Sequence, residues 1–199
     1  MKVLELSNKY KSLLNQNGIN SPLRLAHFFA QISHESQGFT KLRENLNYSV
    51  EGLLKTFGRH RISEAQAKQY GRTKTRSADQ EALANILYGG KWGEENLGNK
   101  VFGDGFKFIG RGFKQLTGYY NYLLLSKDVR IDYVNHPEWL EREADAMVSA
   151  CWFWKKNRCG ELADANDIVK LTKRINGGSL GLSQREKLFK EYLVIFNNQ

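Results

Sequence analysis

The chain has 199 residues, 41% of them hydrophobic and 26% charged, which suffices for one domain with a sizeable core and argues against disorder beyond the termini. No apolar run approaches the ~20 residues that cross a bilayer. A formal charge of +9 favours polyanionic partners, whether nucleic acid, anionic lipid or a bacterial envelope, without choosing among them.

The N-terminal stretch MKVLELSNKYKSLL has polar residues where a signal peptide needs an unbroken apolar centre. The chain is therefore expected to be made in the cytoplasm of its host. Val3, Leu6, Tyr10 and Leu13 follow a 3–4–3 spacing that predicts an amphipathic helix ended by Gly18. Ser21-Pro22, an N-cap with a first-turn proline, opens a second helix that runs to about His34. Further helices are predicted at about 79–88 (closed by Gly89-Gly90), 138–156, 164–175 and 183–196. The last of these carries Leu188, Tyr192, Ile195 and Phe196 on one face. No stretch alternates with period two for long enough to build a sheet, so the class is mainly α.

Residues 89–118 break this pattern, holding nine of the 18 glycines. A long segment of that composition reads as a structureless, functional loop region. Trp92, Phe102, Phe106, Phe108 and Phe113 within it need burial or a ligand to stack on, so it is read as the wall of a cleft. No repeat or Pro/Ser linker marks a second domain. A single domain over 1–199 is expected, with room for a helical subdomain around 50–90. Cys151 and Cys159, eight apart in a helical stretch, are expected as buried free thiols. No cysteine and histidine pattern has zinc spacing, and HESQG at 34–38 lacks the second histidine of HExxH.

Four segments can carry chemistry. On the helix from Pro22, the apolar rhythm Leu25, Phe28, Ile32 places Glu35 next on the core-facing stripe, at the helix C-terminus. Burial and the negative end of the helix dipole both favour a protonated carboxyl there, as a general acid requires. Glu44 follows in TKLRENLNYS, where Lys41, Arg43, Asn45, Asn47 and Tyr48 would keep it ionised. Two carboxyls with opposed environments suit an acid and base pair, although each alone reads equally as a surface glutamate. The stretch FIGRGFKQLTGYYNY (108–122) offers close backbone approach at its glycines. It also offers Arg111 to clamp or brace, and Gln115, Thr117, Asn121 and tyrosines as neutral partners for a sugar. Its glycine spacing is not that of a dinucleotide site. In RINGGSLGL (174–182), the Gly177-Gly178 turn either presents the Asn176 amide or simply caps a helix.

Together these segments resemble glycoside hydrolase family 19, the chitinase-like members of the lysozyme superfamily, and especially its phage and bacterial endolysin branch. His34-Glu35-Ser36 is similar to the family's acid motif, and ENLNYS at 44–49 to the endolysin version of the next block. GRG-x-x-QL[ST] corresponds to Gly110–Thr117 and INGG to 175–178. The resemblance implies a helical catalytic domain lined by Gly-rich loops; from the absence of a linker, no separate cell-wall-binding domain is expected. It also implies inverting hydrolysis of β-1,4-linked amino sugars, for which the two carboxyls stand roughly 6.5–9.5 Å apart. It assigns Glu35 as general acid, Glu44 as general base and Thr117 to the hydrolytic water. Gln115, Asn121 and Asn176 become substrate-binding amides and Arg185 a supporting arginine, with Tyr48 and Arg111 completing the substrate-binding set. No metal or organic cofactor is implied.

Gln37, Phe113 and Ser179-Leu180 stand where plant chitinases carry threonine, proline and an acidic residue, departures that fit the endolysin branch. The expected substrate is therefore the peptidoglycan glycan, cut after release into the cell wall for lysis by a monomer. A muramidase specificity is favoured. A chitinase is the alternative within the same reaction class. The basic stretch 59–76 would suit a nucleic-acid-binding module, although no nucleic-acid partner is expected. The amphipathic segment 183–196 and the basic surface would suit contacts with an anionic outer membrane or envelope.

Overall fold

The computed structural model describes residues 2–199, and helices dominate it, in agreement with the mainly α class expected. In chain order they are α1 (Lys2–Lys9), α2 (Lys11–Gln16), α3 (Pro22–Glu35), α4 (Val50–Thr56), α5 (Glu64–Tyr70), α6 (Gln80–Tyr88) and α7 (Gly90–Leu97). There follow α8 (Asp104–Lys107), α9 (Tyr119–Val129), a 3₁₀ turn (Pro137–Glu141), α10 (Glu143–Lys156), α11 (Cys159–Asp164), α12 (Ile168–Asn176) and α13 (Leu182–Asn197). Extended pairing among the described residues is confined to isolated bridges, such as Arg43 with Arg111 and Arg111 with Leu116. The chain divides into two compact units. One comprises the residues up to Leu42, Gly112–Gln115 and Leu140–Gln199; the other comprises Arg43–Arg111 and Leu116–Trp139.

The first unit is organised around α3. The Ser21 hydroxyl accepts the Arg24 N–H and Pro22 occupies the first turn, so this helix starts where its cap and proline place it. The expected single stripe is too narrow a description. Eight consecutive residues, Ala26–Ser33, are buried, so α3 is a central helix covered on all sides. Helix α13 packs along it. Phe196 stacks on Phe29 with centroids 5.8 Å apart, while Phe189 and Tyr192 are buried in the same cluster. Each large apolar side chain so buried contributes roughly 1.5–3 kcal/mol. The C-terminal apolar stripe is thus core, with Leu188 and Ile195 packed against it, rather than an exposed membrane-facing surface.

The single N-terminal helix expected from periodicity is divided at Tyr10, whose φ of −107° and ψ of 19° leave the helical region. The Tyr10 hydroxyl instead donates to Glu143 at the start of α10. Hydrogen bonds from Lys9 and then Lys2 hold the Glu143 carboxyl down to about 2. Cys151 and Cys159 are buried free thiols, as expected. Burial pushes Cys159 up to about 12 and Cys151 higher still.

The second unit has its own core, in which Leu46, Leu53, Ile62, Leu83, Leu87 and Ile109 are buried together. Asp79 caps α6, and Ser63 with Gln66 forms a capping box on α5. The Gly-rich segment is not structureless, because α7 and α8 lie within it. Position 93, inside α7, takes glycine because a Cβ there would collide with the Tyr88 carbonyl oxygen. Helix α9, absent from the sequence-based prediction, starts after Gly118 without any side-chain cap. Gly118 adopts φ 91° and ψ 145°, and a Cβ there would lie 2.8 Å from that of Leu97.

Several cations of the 59–76 stretch are structural. Arg59 donates to the Leu54 carbonyl, Arg76 to those of Lys68 and Gly71, and Arg61 to that of Leu87. Among the described residues no helix is long and apolar enough to cross a membrane.

Candidate active site

Glu35 is the last residue of α3, so its side chain leaves the helix at the end where main-chain carbonyls lack partners. Its carboxylate is 15% exposed and accepts a 2.5 Å bond from Nη2 of Arg185, which is itself only 1% exposed. The helix end and the burial match the expectation. The sequence suggests Arg185 only as support, whereas its full positive charge stands directly beside the carboxylate. Arg185 lies in the first turn of α13. Its Nη1 donates to Gln31 Oε1 at 2.7 Å and its Nε to the Leu180 carbonyl at 3.3 Å. Gln31 in turn donates to the Thr172 hydroxyl at 3.1 Å, so a buried polar row runs from α12 through α3 to the carboxylate. Gln31 and Thr172 escaped the sequence reading. The signal for Gln31 was an amide inside a largely apolar helix.

The chain turns sharply after Glu35. Gln37 and Phe39 both have positive φ, 49° and 67°, conformations costing of order 1–3 kcal/mol each in side-chain-bearing residues. Phe39 is held there edge-on to Phe29 and Phe113, with centroids 6.1 and 5.8 Å away. His34 packs against Gly181 at the start of α13, and burial lowers its pKa. The Gln115 amide donates to the carbonyls of Gly112 at 2.8 Å and Lys41 at 3.3 Å, with Gln115 also at positive φ. Lys114, likewise unforeseen, places its ammonium 4.5 Å over the Phe153 ring. Burial pulls its pKa down, against the opposing pull of Glu35. Asn176 ends α12, and Gly177 follows in the left-handed region and returns its N–H to the Lys173 carbonyl.

In the second unit Glu44 is held at both carboxylate oxygens. The Tyr88 hydroxyl donates to Oε1 at 2.5 Å and the Gly110 N–H to Oε2 at 3.2 Å, while the Glu44 N–H donates to the Gly110 carbonyl at 2.9 Å. The Tyr88 and Gly110 donors are both neutral. Arg43 faces the Phe106 ring at 5.3 Å, and the Asn45 and Asn47 side chains accept the N–H groups of Asn47 and Ala78. Glu44 lines a cavity of about 430 Å³ with Arg43, Asn45, Asn47, Gln80 and Phe106, ample for a ligand.

Thr117 accepts the Asn121 amide on its carbonyl at 2.8 Å, placing both residues at the start of α9. Arg111 is 4% exposed and donates to the Lys107 carbonyl and the Tyr122 hydroxyl, the geometry of a brace. Tyr48 sits edge-on to Phe57, and burial together with nearby Glu44 pushes its hydroxyl up. Glu35, Arg185, Gln115 and Asn176 thus all belong to the first unit. Glu44, Tyr48, Arg111, Thr117 and Asn121 belong to the second. Among the described residues, no group of three or more His, Cys, Asp or Glu is arranged to hold a metal ion.

No family model matches the chain. The chain is 38% identical over 186 residues to a glycosyl hydrolase family 19 domain-containing protein of Haemophilus influenzae, spanning 93% of this chain and 86% of that relative. Its fold is similar to that of a class IV chitinase of family 19 from Zea mays, with a TM-score of 0.53 and 17% identity, over 88% of this chain and 69% of that one. It is also similar to chitinase C from Streptomyces griseus, with a TM-score of 0.53 and 18% identity, over 88% of this chain and 60% of that one.

Proposed function

The chain belongs to glycoside hydrolase family 19, and on that premise we propose that it is an endolysin that hydrolyses β-1,4 bonds of the bacterial peptidoglycan glycan. In this reading Glu35 gives its proton to the leaving glycosidic oxygen as the bond to the anomeric carbon breaks. Glu44 takes a proton from the water whose oxygen attacks that carbon from the opposite face, giving inversion. The observation that carries the reading is that two glutamates are each held by dedicated partners, one by a buried cation and the other by neutral donors. Once Glu35 has given up its proton, Arg185 stabilises the carboxylate left behind. Thr117 orients the water, and Gln115, Asn121, Asn176 and Tyr48 engage the sugar, while Arg111 braces the Lys107 carbonyl against Tyr122.

The +9 charge supports an acidic envelope as target, since peptidoglycan and its attached polymers carry carboxylates and phosphates that chitin lacks. The protein acts as a monomer on the wall after release from the cytoplasm where it is made. Turbidity of outer-membrane-permeabilised Gram-negative cells, followed with wild type and Glu35→Gln and then by mass spectrometry of the fragments, tests this. Clearing by wild type alone, with new reducing sugar ends, supports a peptidoglycan glycosidase and names the bond. Cleavage of chitin oligomers without clearing of cells would transfer the protein to the chitinases.

A further inference from the structure

Tyr88 has no role in the assignment above, yet contacts converge on it from several directions. Its hydroxyl donates to Glu44 at 2.5 Å. Its ring is faced by Arg61 at 5.5 Å, and the Arg61 guanidinium lies 3.6 Å from the centre of the Trp92 ring while bonding the carbonyl of Leu87, the preceding residue. Its own carbonyl accepts the Asn99 amide at 2.8 Å, and Gly93 leaves that carbonyl the space a Cβ would fill. Asn99, 3% exposed, also accepts the Tyr119 N–H at 2.9 Å, tying Tyr88 to the start of α9, two residues beyond Thr117.

We propose that Tyr88 is a positioning residue for the general base, and that Arg61, Trp92 and Asn99 form the frame that fixes it. The inference rests on the reading of Glu44 as that base. A carboxylate with one oxygen on the Gly110 N–H and the other on the Tyr88 hydroxyl cannot rotate about its terminal bond without breaking both. Its remaining lone pairs therefore keep one direction toward an attacking water, and such pre-set orientation is a large part of catalysis. Burial, followed by the adjacent carboxylate, drives the Tyr88 hydroxyl far above the usual tyrosine range. It therefore remains a donor at every pH where a glycosidase works. Core packing alone would need the ring and not the hydroxyl, and the two roles separate on that atom.

Tyr88→Phe keeps the ring, the Arg61 contact and the backbone bonds and deletes the hydroxyl. Because a hydrogen bond to a charged group is lost, kcat should fall on the order of tenfold to a hundredfold with KM little changed. Since the lost donor favoured the ionised base, the acidic limb of the pH–rate profile should move up by about one pH unit. In a Glu44→Gln background the same substitution should have no further effect, because Tyr88 acts through the carboxylate. Arg61→Lys, which loosens the ring and leaves the hydroxyl, should shift the limb in the same direction by less, and it serves if Tyr88→Phe does not fold. An inactive Glu44→Gln beside a Tyr88→Phe of normal kcat and unmoved profile would overturn the positioning role alone. A lowered kcat with an unmoved limb and additive loss in the double variant would reassign Tyr88 to packing. Full activity of Glu44→Gln would instead remove the base reading on which the proposal stands.

Discussion

Replacing Arg185 with methionine should be among the most damaging single changes in the first unit, and its cost follows from what the guanidinium touches. The side chain is 1% exposed and bonds Glu35 at 2.5 Å, Gln31 at 2.7 Å and the Leu180 carbonyl at 3.3 Å. Methionine restores most of the volume, so the loss is electrostatic. It leaves a carboxylate 15% exposed without its counter-charge. Removing one member of a buried pair costs about 3–5 kcal/mol. For a chain of this length that lowers Tm by about 6–20 °C, at ~2–4 °C per kcal/mol. Adding Glu35→Gln removes the stranded charge and should recover a coupling of about 2–3 kcal/mol in a double-mutant cycle. Thermal and urea unfolding of the four proteins, followed by circular dichroism, measure both quantities. A single-variant loss below about 1 kcal/mol, the worth of an exposed pair, or an additive cycle would refute the buried-pair reasoning.

Other outcomes follow from the same contacts. Glu35→Gln should remain folded with activity reduced by roughly 10²–10⁴-fold, read as reducing ends released from purified peptidoglycan. Gly118→Ala places a Cβ at φ 91° and 2.8 Å from Leu97, so unfolding in urea should show a loss of at least about 1–3 kcal/mol. His27 is fully buried, donates from Nε2 to Asn166 Oδ1 at 2.8 Å, and has its pKa lowered chiefly by burial. Because the folded state then binds fewer protons than the unfolded state, this contribution is complete above the unfolded histidine pKa and is lost as pH falls below ~6.5. His27→Gln should flatten that part of the stability–pH curve. The two thiols should resist a chromogenic disulfide reagent at pH 8 in the native protein and react fully in denaturant, given their burial and raised pKa.

What the sequence disclosed depended on whether its signals were local. Ser21-Pro22 and the 3–4 rhythm placed α3 and put Glu35 at its end, because a cap and a period are properties of neighbouring residues. Asp79 and Gly89 bounded α6 for the same reason. Helices α7 and α9 had no such signals. Gly93 reads as a helix breaker until the Tyr88 carbonyl occupies its Cβ position, and α9 begins at a glycine with no capping side chain. Tyr10 continues the periodic pattern of the first segment, yet the hydroxyl's bond to Glu143, 133 residues away, accompanies a break in the helix. The candidate site divides along the same line. Glu35 and Glu44 were legible as residues, whereas Tyr88, Gln31 and Thr172 are defined by partners 44, 154 and 141 positions distant in the chain.

The uninterrupted burial of Ala26–Ser33 bears on how the molecule opens. Amide protons on a helix sealed on every side exchange with solvent only when the surrounding structure comes apart, so these eight should exchange near the rate of global unfolding. The helix that ends in Glu35 would then belong to the slowest-exchanging segment of its unit. Loops and peripheral turns can fray and reclose many times while the backbone that carries Glu35 stays closed.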